Sequence, residues 1–219
     1  MANPVPGRGK VTEAEFIDPV KKGTKVILEA CREFKVERLV VTSSVAALSG
    51  SLFKKEENAV YGPEDRNPPD FGTIYERSKA AQLGIIDDFL SRQVPDETGY
   101  MLKVLCVCPS LVIGSVLMHV PGSSTIVVQR ILDGSIPMLP NLCIAWVNIK
   151  DVSEAHIKCL VDRSLDSDVF VLSQEKPLPF IQYANLLRPE FEPLGYKIPK
   201  RVAYNWLIKL ASIFDSDMA

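Results

Sequence analysis

Val36-Glu37-Arg38-Leu39-Val40-Val41-Thr42-Ser43-Ser44 is a short β-branched run that closes on small hydroxyl residues. A strand covered by helices on both faces takes this form, nearly continuous in apolar residues rather than alternating. Upstream, residues 12–34 carry Phe16, Val20, Val26, Ile27, Ala30 and Phe34 at helical spacing, with Lys21, Lys22, Lys25, Glu29 and Arg32 between them, which predicts an amphipathic helix. Downstream, residues 47–73 are rich in Gly, Pro, Asn and Asp and contain adjacent like charges, so they read as a long loop. Residues 74–92 then repeat the helical pattern through Ala80, Ala81, Leu83, Ile85, Ile86, Phe89 and Leu90, and a second apolar strand runs from Leu102 to Cys108 before Pro109. Helix-strand-helix-strand with apolar strands predicts an α/β protein with a parallel sheet. Beyond Pro109 the pattern predicts a helix over 124–132, a strand over 144–149, a helix over 152–160, a strand over 169–172 and C-terminal helices.

The chain has 219 residues, 47% of them hydrophobic and 24% charged, enough to bury a sizeable core and too apolar for disorder. Its 25 basic and 27 acidic residues are mixed along the sequence, leaving a net charge of −2. No field of one sign draws it to phosphate backbones, which argues against a nucleic-acid partner. Five cysteines without paired spacing read as reduced thiols, hence a cytoplasmic location. The first ten residues lack the apolar stretch of a signal peptide. Residues 104–129 contain no Asp, Glu, Lys or Arg, but Pro109, Gly114, Pro121 and Gly122 interrupt them, so a buried strand, a loop and a helix start are expected rather than a membrane span.

Tyr75-Glu76-Arg77-Ser78-Lys79 places a phenol and an ammonium one helical turn apart on the same face. A neighbouring cation favours the phenolate, and such a tyrosine can exchange a proton with a carbonyl or alcohol oxygen; the same spacing also describes an ordinary surface pair. Tyr196 and Lys200 repeat the spacing, but Pro199 opposes a helix there. Thr42-Ser43-Ser44 and Pro109-Ser110-Leu111-Val112 both fall at the C-terminal ends of predicted parallel strands, where open α/β sheets bind ligands, although simple strand-end turns account for each. Gly122-Ser123-Ser124-Thr125 can cap the following helix, whose free N–H groups suit a phosphate. Gly7-Arg8-Gly9-Lys10 fails as a phosphate loop, with Pro4 at the first glycine position and Val11 after the lysine. Cys106 and Cys108 read as core thiols, His119 and His156 sit in no metal or triad pattern, and Lys54-Lys55-Glu56-Glu57 reads as a solvated loop.

In this order and spacing the segments resemble the extended short-chain dehydrogenase/reductases (the NAD-dependent epimerase/dehydratase family), in particular the dihydroflavonol-reductase-like branch. Ala2-Asn3-Pro4, Pro19 to Thr24, Arg38 to Ser44, Tyr75 to Lys79, Pro109 to Gly114 and Trp146 to His156 carry the likeness. The resemblance implies an α/β fold with an incomplete Rossmann-type parallel sheet flanked by helices, and a small C-terminal substrate-facing region. Residues 1–115 and 143–172 would form the partial dinucleotide-binding fold, and 116–142 with 173–219 the substrate-facing region. It also implies an NAD(P)-dependent oxidoreductase that reduces a ketone or aldehyde of a small molecule, using NADP or NAD. Ser44 would orient the carbonyl, Tyr75 would act as general acid/base, and Lys79 would lower its pKa and bond the nicotinamide ribose. Thr42, Tyr75, Lys79, Pro109, Ser110, Leu111, Val112 and Ser124 would contact the cofactor; no metal is implied.

Two departures stand out. Asp18 occupies a position where many relatives carry asparagine, and Ala80-Ala81-Gln82 stand where the family has a glutamate after the lysine. The sequence also contains no Gly-x-x-Gly-x-x-Gly turn, so the likeness covers the catalytic and C-terminal two-thirds of such an enzyme. Two other readings follow. The same Ser-Tyr-Lys set serves hydroxysteroid dehydrogenases and sugar epimerases, and a non-catalytic protein that kept the scaffold for binding or regulation would need a partner or a second copy to cover its exposed sheet edge.

Overall fold

The computed structural model describes residues 12–50, 59–117 and 122–204. Within these, the chain divides into two compact units: one of residues up to Ser110 together with Lys150–Leu172, the other of Leu111–Ile149 together with Ser173 onward. Ala2 to Pro4, Gly7 to Lys10, Lys54 to Glu57 and His119 lie outside the described residues.

The first unit is built on three parallel strands in the order β1-β2-β6, where β1 is Arg38–Thr42, β2 is Lys103–Pro109 and β6 is Asp168–Leu172. The register pairs Thr42 with Val107 and Pro109 with Leu172. Two helices, α1 (Glu13–Glu33) and α3 (Ile74–Ser91), cover one face. There Leu28, Leu83 and Ile86 pack against Leu39, Val41, Val104, Cys106 and Cys108. On the other face α5 (Ile149–Val161) sets Cys159 against Val40, Leu105, Val107 and Phe170. Strand side chains alternate between faces, and because both faces are covered every position of β2 after Lys103 is buried. This is the α/β parallel sheet that the apolar strand runs predict, flanked by helices as in the Rossmann-type arrangement that the family resemblance implies.

Both long helices on that face begin with a capping box. Thr12 and Glu15 exchange side-chain and backbone bonds at the start of α1, and Thr73 and Glu76 do the same at α3, satisfying N–H groups that have no intrahelical partner. Pro19 lies inside α1 without ending it. The expected loop over 47–73 is corrected at its start, where Ala46–Ser49 forms a single helical turn, α2. Burial of Ala47 and Leu48 in the core holds this turn, an effect that local composition does not register.

In the second unit β3 (Leu111–Ile113) pairs in parallel with β5 (Trp146–Asn148), and β4 (Cys143–Ile144) pairs antiparallel with β7 (Leu178–Pro179). The expected single strand over 144–149 is therefore two, and the expected loop after Pro109 is partly a strand. Helices α4 (Ser123–Leu132) and α6 (Phe180–Phe191), the latter followed by a 3-10 turn at Glu192–Leu194, enclose Ile131, Leu139, Trp146, Phe180, Tyr183 and Ile198. Trp146 stacks on Tyr183 at 4.0 Å, and the Tyr183 hydroxyl donates to the Ile144 carbonyl at 2.7 Å.

Candidate active site

The C-terminal ends of β1 and β2 are laced by two backbone bonds. Ser43 N–H donates to the Val107 carbonyl at 2.7 Å, and Val45 N–H donates to the Pro109 carbonyl at 3.1 Å. These bonds carry Thr42, Ser44 and Pro109 to the same end of the sheet, the end at which open α/β folds bind ligands. The Ser44 hydroxyl accepts from Ala46 N–H at 3.2 Å, which uses a lone pair and leaves its proton available to a substrate oxygen. Ser110 donates its N–H to the Leu172 carbonyl at 2.9 Å, while its Oγ is buried without a partner.

Helix α3 delivers the other two side chains. The Thr73 cap fixes the start of the helix, so Tyr75 falls in its first turn and Lys79 one turn later. Lys79 is only 7% exposed; its Nζ lies 6.0 Å from the centroid of the Tyr75 ring and donates to the Thr42 carbonyl at 3.5 Å. Lys79 makes no ion pair among the described residues. Burial accordingly pushes its ammonium below the ordinary lysine range, because desolvation disfavours the charged form. The nearby Cys108 thiol is itself pushed up by burial, so at neutral pH it supplies no compensating negative charge. Any group that accepts from Nζ, or carries negative charge beside it, is favoured at this point. The Tyr75 phenol is half-buried.

Thr42, Ser44, Tyr75, Lys79, Pro109 and Ser110 thus all belong to the first unit and gather around the strand ends. Leu111, Val112 and Ser124 belong to the second unit. Leu111 and Val112 are strand residues, half-buried and paired opposite Trp146 and Val147. Within the Gly122–Thr125 stretch expected to cap α4, Gly122 is the N-cap and makes no side-chain bond, while Ser124 lies inside the first turn. The second Tyr-x-x-x-Lys match is not helical. Tyr196 packs edge-on against Phe191, and Lys200 pairs with Glu192 at 3.2 Å.

One residue that the sequence reading set aside enters this network. The Thr42 hydroxyl is bonded to Nε2 of His156 at 2.8 Å. Two sequence signals bear on it: His156 closes the Trp146–His156 segment that carries the family likeness, and its i,i+4 relation to Val152 places both on one face of α5. A hollow of about 710 Å³ between α1 and α3, lined by Arg32, Phe89 and Tyr100 among others, lies toward the end of α3 away from Tyr75 and takes no part in the site. All five cysteines are free, and no group of metal-ligating residues occurs among the described residues. No described helix is long and apolar enough to cross a membrane.

A family model described as the 3-beta hydroxysteroid dehydrogenase/isomerase family matches residues 1–205. The chain belongs to this family. Among curated relatives it is 27% identical over 166 residues to a cinnamoyl-CoA reductase of Medicago truncatula, covering 70% of this chain and 50% of that protein. It is 24% identical to a putative NADPH-dependent methylglyoxal reductase of Candida albicans, covering 86% and 58%. In fold it is similar to the yeast methylglyoxal/isovaleraldehyde reductase Gre2 solved with NADPH, with a TM-score of 0.75 at 21% identity over 90% of this chain and 63% of that one. Membership agrees with the likeness to extended short-chain dehydrogenase/reductases of the dihydroflavonol-reductase-like branch. The chain spans about half the length of the Medicago relative.

Proposed function

We propose that this family member serves as an NAD(P)-dependent oxidoreductase that reduces a small ketone or aldehyde, with Tyr75 as general acid/base. The observation that carries the reading is the buried Lys79, an ammonium without an ion pair among the described residues, set one helical turn from Tyr75. A reduced nicotinamide would supply hydride from its C4 to the carbonyl carbon.

This chain's residues fit the nicotinamide-ribose end of such a cofactor. Among the described residues Nζ of Lys79 is poorly satisfied by a single bond of 3.5 Å and retains donors for ribose hydroxyls. The buried, unpartnered Ser110 Oγ is a group of the kind that demands a polar ligand. In the reaction Ser44 holds the carbonyl oxygen through its free proton and Tyr75 delivers a proton to that oxygen. Lys79 stabilises the phenolate that remains. Pro109 and Ser110, followed in the chain by Leu111 and Val112, line the nicotinamide, and Ser124 reaches a phosphate. In this reading residues 1–115 with 143–172 hold the dinucleotide and the remainder faces the substrate. NADP is favoured over NAD because named relatives are described with NADPH.

Titration of the purified chain with NADPH and NADH, followed by nicotinamide fluorescence and thermal unfolding, tests the reading. Binding with a raised melting temperature supports it. A folded chain with no affinity for either nucleotide counts for the scaffold reading. In a form that turns over, Tyr75→Phe abolishes reduction while keeping nucleotide affinity, and undiminished turnover refutes the assignment.

A further inference from the structure

The end of β1 carries both a contact to Lys79 and the start of the Ser43-Ser44 pair. Among the described residues the main chain of β1 is laced to a strand on its β2 side, and Thr42 itself is exposed. Yet Thr42 supplies the carbonyl that accepts from Lys79 Nζ, and it directly precedes Ser43-Ser44. A second tether comes from the opposite face of the sheet. His156 of α5 is bonded through Nδ1 to the Val152 carbonyl at 2.7 Å and through Nε2 to the Thr42 hydroxyl at 2.8 Å.

The chemistry of these two contacts assigns the tautomer. A carbonyl can only accept, so Nδ1 carries the proton; in the neutral ring Nε2 is then an acceptor and the Thr42 hydroxyl donates to it. The ring is thereby aimed by its own helix, and it holds one Thr42 rotamer. We propose that His156 is a positioning residue for the Tyr75–Lys79 site, fixing the end of β1 through the Thr42 hydroxyl so that the Thr42 carbonyl stays in place to receive the Lys79 ammonium. The proposal rests on the reading of Tyr75 and Lys79 as the reactive pair. His156 touches neither of them and acts through the strand, in the manner of an outer residue that orients an inner one.

The protein contains two histidines, so long-range ¹H–¹⁵N NMR of the labelled chain, with His119→Gln for assignment, reads the tautomer directly. The expected result for the neutral ring is a protonated Nδ1 and an unprotonated Nε2 at His156; the opposite pattern overturns the proposal without recourse to any variant. Thr42→Val, nearly isosteric, removes the donor. It is expected to shift both the His156 Nε2 signal and the Lys79 side-chain signals, whereas Thr42→Ser keeps both near wild type. Unchanged Lys79 signals in Thr42→Val and in His156→Ala also overturn it. In turnover, Thr42→Val is expected to lower kcat on the order of tenfold with KM held, since misplacing a reacting group is costly. The NMR readouts need neither nucleotide nor turnover. Expected resonances without NADPH binding count against the reductase reading, and NADPH binding with the opposite tautomer counts against His156.

Discussion

Replacing Arg38 with methionine removes the strongest polar tie between β1 and α5. Arg38 is the first residue of β1 and is only 7% exposed. Its two terminal nitrogens donate to the Cys159 carbonyl at 2.9 Å and to the Leu165 carbonyl at 3.0 Å. Cys159 lies in the last turn of α5, where carbonyls lack intrahelical partners and a cation is favoured by the helix dipole. Hydrogen bonds to a charged group contribute about 1.5–3 kcal/mol each. Against the pair stands the cost of burying a guanidinium whose Nε finds no partner, so a net loss of about 2–4 kcal/mol is expected. Methionine keeps most of the apolar stem, so the loss reports the head group rather than a cavity. Native-state amide exchange suits the question better than a global melt, because two units need not unfold together. At about 1.4 kcal/mol per factor of ten, protection in the last turn of α5 and in β1 falls at least roughly 30-fold. Arg38→Lys, whose single ammonium lacks the planar fork, restores part of it. A methionine variant whose protection stays within about threefold of wild type refutes the reasoning.

Other substitutions probe separate features. Thr73→Ala removes a cap that accepts from Glu76 N–H at 3.3 Å and is expected to cost about 1 kcal/mol in urea denaturation; loss of nucleotide affinity should accompany it if the start of α3 sets Tyr75. Gly114→Ala places a methyl 2.4 Å from Ile149 Cγ2 at a φ of +145°, so it should lower the melting temperature, and Ile149→Ala in the same chain should relieve the clash but not the backbone strain. Toward thiol reagents at pH 8, exposed Cys143 should react promptly while buried Cys106 and Cys108 react only on unfolding. Burial pushes the Cys106 thiol up to about 12. A group raised in the fold contributes stability that is complete below its unfolded pKa and is lost as pH rises toward the folded value. Stability should therefore fall between about pH 9 and 12 by about 1.4 kcal/mol per pH unit from this group, and the slope should flatten in Cys106→Ala.

The parts of the molecule readable in one dimension are those with a strong local cause. Helical periodicity located α1 and α3 nearly to the residue, and an apolar run ending at hydroxyls or proline located β1 and β2. The same local signals put Tyr75 and Lys79 on one helical face, and Pro199 marked Tyr196 and Lys200 as lying outside a helix, as the structure has them. Where the cause is burial against distant chain, the sequence misled. Polar, glycine-rich surroundings hid the α2 turn that Ala47 and Leu48 anchor, and two-residue strands such as β4 and β7 are too short to leave a period. The cap expected within Gly122–Thr125 falls on Gly122, since Ser, Thr and Gly are all admissible there and only backbone geometry chooses among them.

The residue types available for chemistry, and their spacing along single elements, are properties of the chain itself, because a helix or strand imposes them whatever surrounds it. Which carbonyl Lys79 meets, how deeply it is buried, and that a histidine 114 positions away is bonded to the threonine at the end of β1 depend on packing two layers of helices across one sheet. Those contacts join residues that no local period connects, so only the folded arrangement could decide them.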